Sequence, residues 1–494
     1  VLRELTEAVH SRQVSATELV KRALERIERF NGPLNAVVAL RAEEALREAH
    51  DLDARLAAEA PAGASAASRA FDLPLAGIPF LVKDNMDLAG MRTTQGSLVL
   101  ADVPPAVADS LTVARLRAAG AIPVGKTNVP EFCFEGFTDN RLYGTTRNPW
   151  APDWSPGGSS GGSAAAMAAG MIPFATGTDG GGSVRIPAAF CGLYGLKPTN
   201  GLIARDPLPF WIDYSTDGPL GLEADDVGLL LSVMAGPSAG DPTALPAACL
   251  SGEWLPHKAR DDRRAPLRPA IVYAVPRFVD WGELPDSVGQ LFTTALHSLE
   301  ADLGLSVELL EPSDVLPSGC GCQGAHNADE DWYLTASCEQ AHFFGRAWLE
   351  ANGDRLTHPF AAAMHQGLKV SLEDYLAARR RRFDYVRELD QLLDEGNVIV
   401  TPTMPSEGFS ADGRQLGHEE AGTDAASYNT QPQNVTGHPA LSVPAGLSPN
   451  GVPFGLQVTG PRFRDDLVLA IGEAWQEAHP ARSVAPGYEK FWTP

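Results

Sequence analysis

The sequence predicts one large α/β domain carrying insertions, and three observations point to it. Strand-like and helical patterns interleave from residue 72 to the end, with no block of either kind set apart as a module. The 494 residues are 44% hydrophobic and 20% charged, a composition that fills a large core and does not favour disorder. No internal repeat divides the chain.

The first 70 residues read as an N-terminal helical segment, with the main domain expected over 71–494. Two helices are predicted within the first 30. Ser15-Ala-Thr-Glu18 fits a capping box, and Leu19, Ala23 and Ile27 follow at helical spacing. A further helix over about 41–58 runs into PAGASAASRA at 61–70, which has the composition of a linker. LAGIPFLVKD has the character of a buried strand, while LTVARLRAAG reads as a helix leading to the short strand AIPV. Two glycine-serine runs come next, separated by the Ala-rich helix SAAAMAAGM. Residues 236–270 are rich in Pro, Asp and Arg and read as a surface excursion. Helices are expected around 287–302, 330–350 and 371–395. NVIVTPT, ALSVPAG and FGLQVTG read as strands, and DDLVLAIGEAWQEA as a closing helix.

A formal charge of −23 argues against a protein that tracks nucleic-acid backbones. The one basic run, Arg379 to Arg382, lies among Glu373, Asp374, Asp384 and Glu388 and reads as a solvated helix face. Six cysteines, at 133, 191, 249, 320, 322 and 338, form neither a disulfide framework nor a CxxC pair. Cys320-Gly-Cys322 lacks the spacing of a structural zinc site. Reduced thiols, a cytoplasmic location and no metal are therefore expected. The uncharged stretch from Ser155 to Thr178 has the length of a membrane span, but its Gly, Ser and Pro content makes it a poor one. The sequence begins at Val1, which leaves a removed leader open.

Two motif matches fail on context. GAIPVGKT at 120–127 has the letters of a P-loop, yet a helix precedes it and a strand lies inside it, the inverse of a phosphate cradle. GGSSG at 157–161 has the letters of a nucleophile elbow, but RNPWAPDWSP before it is no strand. His438 is the only tempting partner for such an elbow.

The glycine-serine runs PGGSSGGS (156–163) and GTDGGGSVR (177–185) carry more weight together than apart. Alone, GGGS reads as a tight turn. It also leaves backbone N–H groups unshielded, able to converge on one oxyanion. Asp179 and Arg185 flank it where an ion pair would brace it. The helix between the runs can return both serines to one place. Upstream, Lys83 interrupts the apolar run FLVKDN. By itself it reads as a snorkelling edge residue; beside two serines it is a candidate buried amine with a depressed pKa.

These parts make a Lys–Ser–Ser arrangement, and with them the sequence resembles the amidase signature family. Lys83-Asp84-Asn85, GGSSGGS, GTDGGGSVRIPAAFCGLYGLKPT at 177–199, VGKTNVPEF, YGTTRNPW, DGPLGLEADDVGLLLSVMAGP, NVTGHPALSVPAG and GLQVTG carry the resemblance. It covers about 72–240 and 396–480. It implies a central mixed β-sheet flanked by helices and hydrolysis of a carboxylic amide without a cofactor. By it, Ser183 is the nucleophile, Ser159 the bridging serine after a cis peptide, and Lys83 the base. Gly180, Gly181, Gly182 and Ser183 form the oxyanion hole, with Ser160, Asp179 and Arg185 in support. Many family members carry a larger residue where Gly180 stands, so a looser loop is expected.

Motif alignment also places Cys133, Phe134 and Thr138 near the acyl pocket, and PLPFWIDY adds Phe210, Trp211 and Tyr214. These side chains suit either core packing or a cleft for aryl or apolar amides. Residues 241–395, largely unmatched, read as a variable helical and loop insertion that shapes the substrate site. The expected partner is a small-molecule amide, with neither nucleic acid nor membrane; a homodimer is left open. One rival within the family is the glutamine-hydrolysing component of the tRNA-dependent amidotransferase, its A subunit, which hands on ammonia. It typically has small residues ending in an SLDQ-like sequence where this chain reads LPFWIDYSTDGP. Another rival is a catalytically inactive relative that only binds; the presence of all three triad residues weighs against it.

Overall fold

The N-terminal helices form as α1 (Leu2–His10) and α2 (Ala16–Leu34). Both halves of the capping box are present: the Glu18 N–H donates to the Ser15 hydroxyl at 3.1 Å, and the Ser15 N–H to the Glu18 carboxylate at 2.8 Å. This computed structural model describes residues 1–58, 73–211, 213–246, 269–278, 283–316, 327–394, 396–413, 429–480 and 484–492. The linker-like run at 61–70, most of the 236–270 excursion, and Cys249, Cys320 and Cys322 lie outside the described residues.

The chain continues through β1 (Val37–Leu40), α3 (Ala42–Ala58), β2 (Pro79–Lys83), α4 (Leu111–Ala118), β3 (Ile122–Thr127), α5 (Gly161–Ala168), β4 (Phe174–Asp179) and α6 (Arg185–Cys191). Then come β5 (Tyr194–Lys197), β6 (Thr216–Gly221), α7 (Ala224–Met234), β7 (Val272–Ala274), α8 (Asp286–Ala301), β8 (Val307–Leu309) and α9 (Pro312–Val315). Helices α10 (Ala328–Phe344), α11 (Arg346–Asn352), α12 (His358–Gly367) and α13 (Leu372–Leu393) precede β9 (Val398–Pro402). The last elements are α14 (Gln431–Thr436), β10 (Ala440–Leu447), β11 (Pro453–Thr459) and α15 (Asp465–Ala478).

Among the described residues, all eleven strands join one mixed sheet in the order β1-β3-β2-β4-β6-β5-β10-β11-β9-β7-β8. Strand β2 runs parallel to both β3 and β4, while β4 pairs antiparallel with β6. Every residue of β2, β3 and β4 is buried, as expected of parallel strands covered by helices on both faces. Their side-by-side arrangement brings Lys83, the last residue of β2, beside the last residues of β4, which ends two residues further on at Asp179. Crevices at such strand ends are where α/β sheets hold their ligands. Helix α5 is buried on all sides, which its small Ala and Gly side chains permit so deep in the core.

Several elements differ from expectation. Strand β1 is short and squeezed between two helices, so no periodicity marks it; it pairs with β3, and α1 to α3 pack into the same hydrophobic cluster as the sheet. The AIPV strand extends through Thr127, burying the lysine of the false P-loop: Lys126 Nζ lies 3.3 Å from the Asp84 carboxylate. The helix expected over 330–350 breaks at Gly345, whose φ of +81° ends α10. The basic run on α13 is not a solvated face. Arg381 is buried in an ion pair with Asp331, and Arg379 and Arg382 both reach Asp213. Of the four, only Arg380 is exposed.

Candidate active site

Lys83 is fully buried, and its Nζ lies 2.7 Å from both Ser159 Oγ and Thr178 Oγ1. Burial drives its pKa below the ordinary lysine value, opposed only in part by the Cys133 thiol and the carboxylates of Asp179 and Asp217. Asn85 donates to the same Thr178 hydroxyl at 3.1 Å, fixing the threonine that orients the amine.

Ser159 follows a cis peptide bond with Gly158. The loop that carries it is packed rather than flexible. A Cβ at Gly161 would come within 2.2 Å of Thr138 Oγ1, so close approach dictates glycine there. The two serine loops are tied together, because the Ser160 N–H donates to the Ser183 carbonyl at 3.2 Å. Ser183 is half-buried and lines the same cleft as Ser159.

The turn from Gly180 to Ser183 is held by its carbonyls. The Asp179 carbonyl accepts from Asn434 at 3.0 Å, the Gly180 carbonyl from Trp332 Nε1 at 2.7 Å, and the Gly182 carbonyl from the Ile186 N–H at 2.7 Å. In a trans peptide the N–H points opposite the carbonyl. The N–H groups of Gly180, Gly181 and Ser183 are thereby turned the other way, and none has an acceptor among the described residues. Gly182 departs from its expected role: its N–H donates to Asp179 Oδ1 at 2.8 Å and is not free. Its φ of +121° and a hypothetical Cβ 2.2 Å from Thr430 Oγ1 still demand glycine.

Asp179 and Arg185 form the expected ion pair, bidentate at 2.8 and 3.0 Å and with neither side chain exposed. The remaining guanidinium donors reach Gln433 at 3.1 Å, Gln457 at 2.9 Å and Asn434 at 2.7 Å, so all five are satisfied. Burial would raise the Asp179 pKa. The Arg185 charge and the hydrogen bonds of Arg185 and Asn434 outweigh it and hold the carboxyl well below its usual range.

The loop is not looser at Gly180. The indole of Trp211 occupies the space a side chain would take, and a Cβ there would lie 2.5 Å from that ring. Trp332 packs on Gly181 in the same way, and the two indoles meet edge to face at 5.6 Å.

A cleft of about 330 Å³ opens over Ser159 and Ser183. Cys133, Phe210 and Trp211 line it, as does Phe343 from α10. Cys133 and its neighbour Phe132 both have left-handed backbones, and the Cys133 thiol reaches Lys83 and Ser159. Phe134 and Thr138 are not in the lining. Phe134 packs behind the wall against Trp211, Tyr333 and Phe360. Thr138 is buried with its hydroxyl donated to the Gly157 carbonyl at 2.7 Å, bracing the Ser159 loop. Tyr214 lies buried beneath Arg382. His438 sits buried beside Asp390, away from the serines.

Thr178, Gln433, Asn434, Gln457 and Trp332 were not anticipated from sequence. For Gln433 and Asn434 the available signal was the run of amides in NTQPQN, which leads into and through α14.

The amidase family model matches residues 18–469, and the chain belongs to the amidase signature family of amide hydrolases. The acylamidase of Rhodococcus erythropolis is 32% identical over 98% of this chain and 96% of its own. The A subunit of the glutamyl-tRNA(Gln) amidotransferase of a Nostoc species is 32% identical over 97% of each chain. The crystal structure of a bacterial aryl acylamidase superposes with a TM-score of 0.81 at 27% identity, covering 96% of this chain and 95% of that one.

Proposed function

We propose that the chain hydrolyses small aryl or otherwise apolar carboxylic amides through an acyl-enzyme on Ser183. The observation that carries this reading is the buried Lys83 amine 2.7 Å from Ser159, next to a serine that opens on the cleft. Neutral Lys83 takes the Ser159 proton as Ser159 takes the one on Ser183, and the Ser183 oxygen attacks the amide carbon. The N–H groups of Gly180, Gly181 and Ser183 surround the developing oxyanion. Ser159 then protonates the leaving amine, and water releases the acid. Phe210, Trp211 and Phe343 favour apolar substrates, as do relatives named acylamidase. Phe343 and Gln340 come from the 241–395 insertion, which supports a role for it in substrate choice.

The test is a panel of aliphatic, aryl, peptide and cyclic amides, run alongside Ser183→Ala, Lys83→Ala and labelling with a fluorophosphonate. Both variants should lose amide turnover while staying folded, and the label should sit on Ser183. Full activity in Ser183→Ala overturns the mechanism; no adduct on Ser183 favours an inactive binding relative. The relatives named as glutamyl-tRNA(Gln) amidotransferase components favour a second reading, glutamine hydrolysis within a larger assembly. Turnover of glutamine but of no other amide in the panel would select it.

A further inference from the structure

Asp217 on β6 stands opposite Thr178 on β4, so both side chains lie on one face of the sheet, the face on which Thr178 meets Lys83. It lines the cleft and is half-buried. Thr112 donates to Oδ2, and Oδ1 has no hydrogen-bond partner among the described residues. The neighbouring cations are engaged elsewhere. Arg205 pairs with Asp241 and donates to Thr243, while Arg115 donates to the carbonyls of Met234, Gly236 and Pro237. Two further acceptors in the same cleft wall are buried and unpartnered among the described residues: Asn85 Oδ1 and Ser110 Oγ. They are linked to Asp217 locally, since Asn85 bonds Thr178 and Ser110 lies two residues from Thr112.

Resting on the amidase reading above, we infer that Asp217, with Asn85 and Ser110, recognises a protonated amino group carried by the substrate. An ammonium has three donors and this corner offers three acceptors, one of them anionic. The substrate class is thus an amide with an apolar body against the Phe210 and Trp211 wall and a cationic end beside Asp217. Burial raises the Asp217 pKa to about 6, against the pull of Thr112, Arg205, Lys83 and Arg115. The carboxylate is therefore formed above that pH and lost below it. Other ionisable groups lining the cleft are Asp206, Arg205 and Cys133.

The test compares kcat/KM within two matched pairs. One varies the acyl half, 5-aminopentanoyl against hexanoyl 4-nitroanilide. The other varies the amine half, N-(4-aminobutyl) against N-pentyl benzamide. A hydrogen-bonded charge pair predicts a preference of about ten- to a hundredfold for the ammonium member of at least one pair. That ratio should collapse toward one in Asp217→Asn. In the unaltered enzyme it should rise as pH climbs through about 6; taking the ratio cancels the ionisation of Lys83, common to both members. Equal turnover within both pairs overturns the assignment, as does a ratio unchanged by the substitution or by pH. Failure of the underlying reading looks different: neither member of either pair is turned over, and no acyl group is trapped on Ser183.

Discussion

Replacing Arg185 with methionine removes the charge while nearly keeping the volume. The loss leaves the buried Asp179 carboxylate without its paired cation and strands three acceptors, on Gln433, Gln457 and Asn434. Breaking one side of a buried ion pair costs about 3–5 kcal/mol, a large part of the roughly 5–15 kcal/mol that holds a domain folded. The pH dependence gives the sharper test. In the native protein the Asp179 pKa lies below its unfolded value, so its stabilisation is present above the ordinary carboxylate range and lost only in stronger acid. Without Arg185, burial is opposed only by the Asn434 hydrogen bond, the loop N–H groups and the Lys197 charge, and the expected outcome is a pKa raised above the unfolded value. The variant then carries its full penalty at pH 7 and recovers part of it as the carboxyl protonates on acidification. Urea unfolding of both proteins at pH 7 and pH 5 should give a stability gap that narrows toward pH 5. A gap under about 1 kcal/mol, or one that does not change with pH, refutes the reasoning.

Three further outcomes follow from the site. Amide turnover should fall as pH drops through the depressed Lys83 pKa, because the proposed mechanism needs a neutral amine; on that mechanism Lys83→Arg should be inactive at every pH, since a guanidinium stays charged. Thr178→Val removes the hydroxyl 2.7 Å from Lys83 Nζ, and about 1–3 kcal/mol expressed in kcat is a loss of roughly five- to 150-fold, checked with the KM measured separately. Gly180→Ala drives a Cβ into the Trp211 ring and should cost about 1–3 kcal/mol of stability in urea unfolding. Adding Trp211→Leu to it should restore most of that loss, and a double variant no better than the single one refutes the contact.

Local chemistry made much of this molecule legible. The capping box at Ser15, the buried strand ending at Lys83, the Ala-rich helix and the Asp179–Arg185 pair all rest on neighbours within a few residues, where spacing carries information. Contacts across the chain were harder to read. Nothing near Gly180 in sequence announces that Trp332 will hold its carbonyl from 152 residues away. Thr138 and Phe134 carry the right residue types beside a motif, yet they support the cleft from behind, because a side chain's direction depends on backbone that the motif does not specify. The basic run on α13 misled for the same reason: its carboxylate partners, Asp213 and Asp331, lie on other elements.

Arg185 also sets a schedule. Asn434 lies 249 residues after it and Gln457 272 residues after it. At about 5–20 residues per second, a ribosome needs roughly 10–50 s after making the guanidinium to supply its last acceptors. Until then the buried cation is incompletely met and the Gly180–Ser183 turn lacks the amide that holds the Asp179 carbonyl. A nascent or truncated chain therefore carries the serine without its setting.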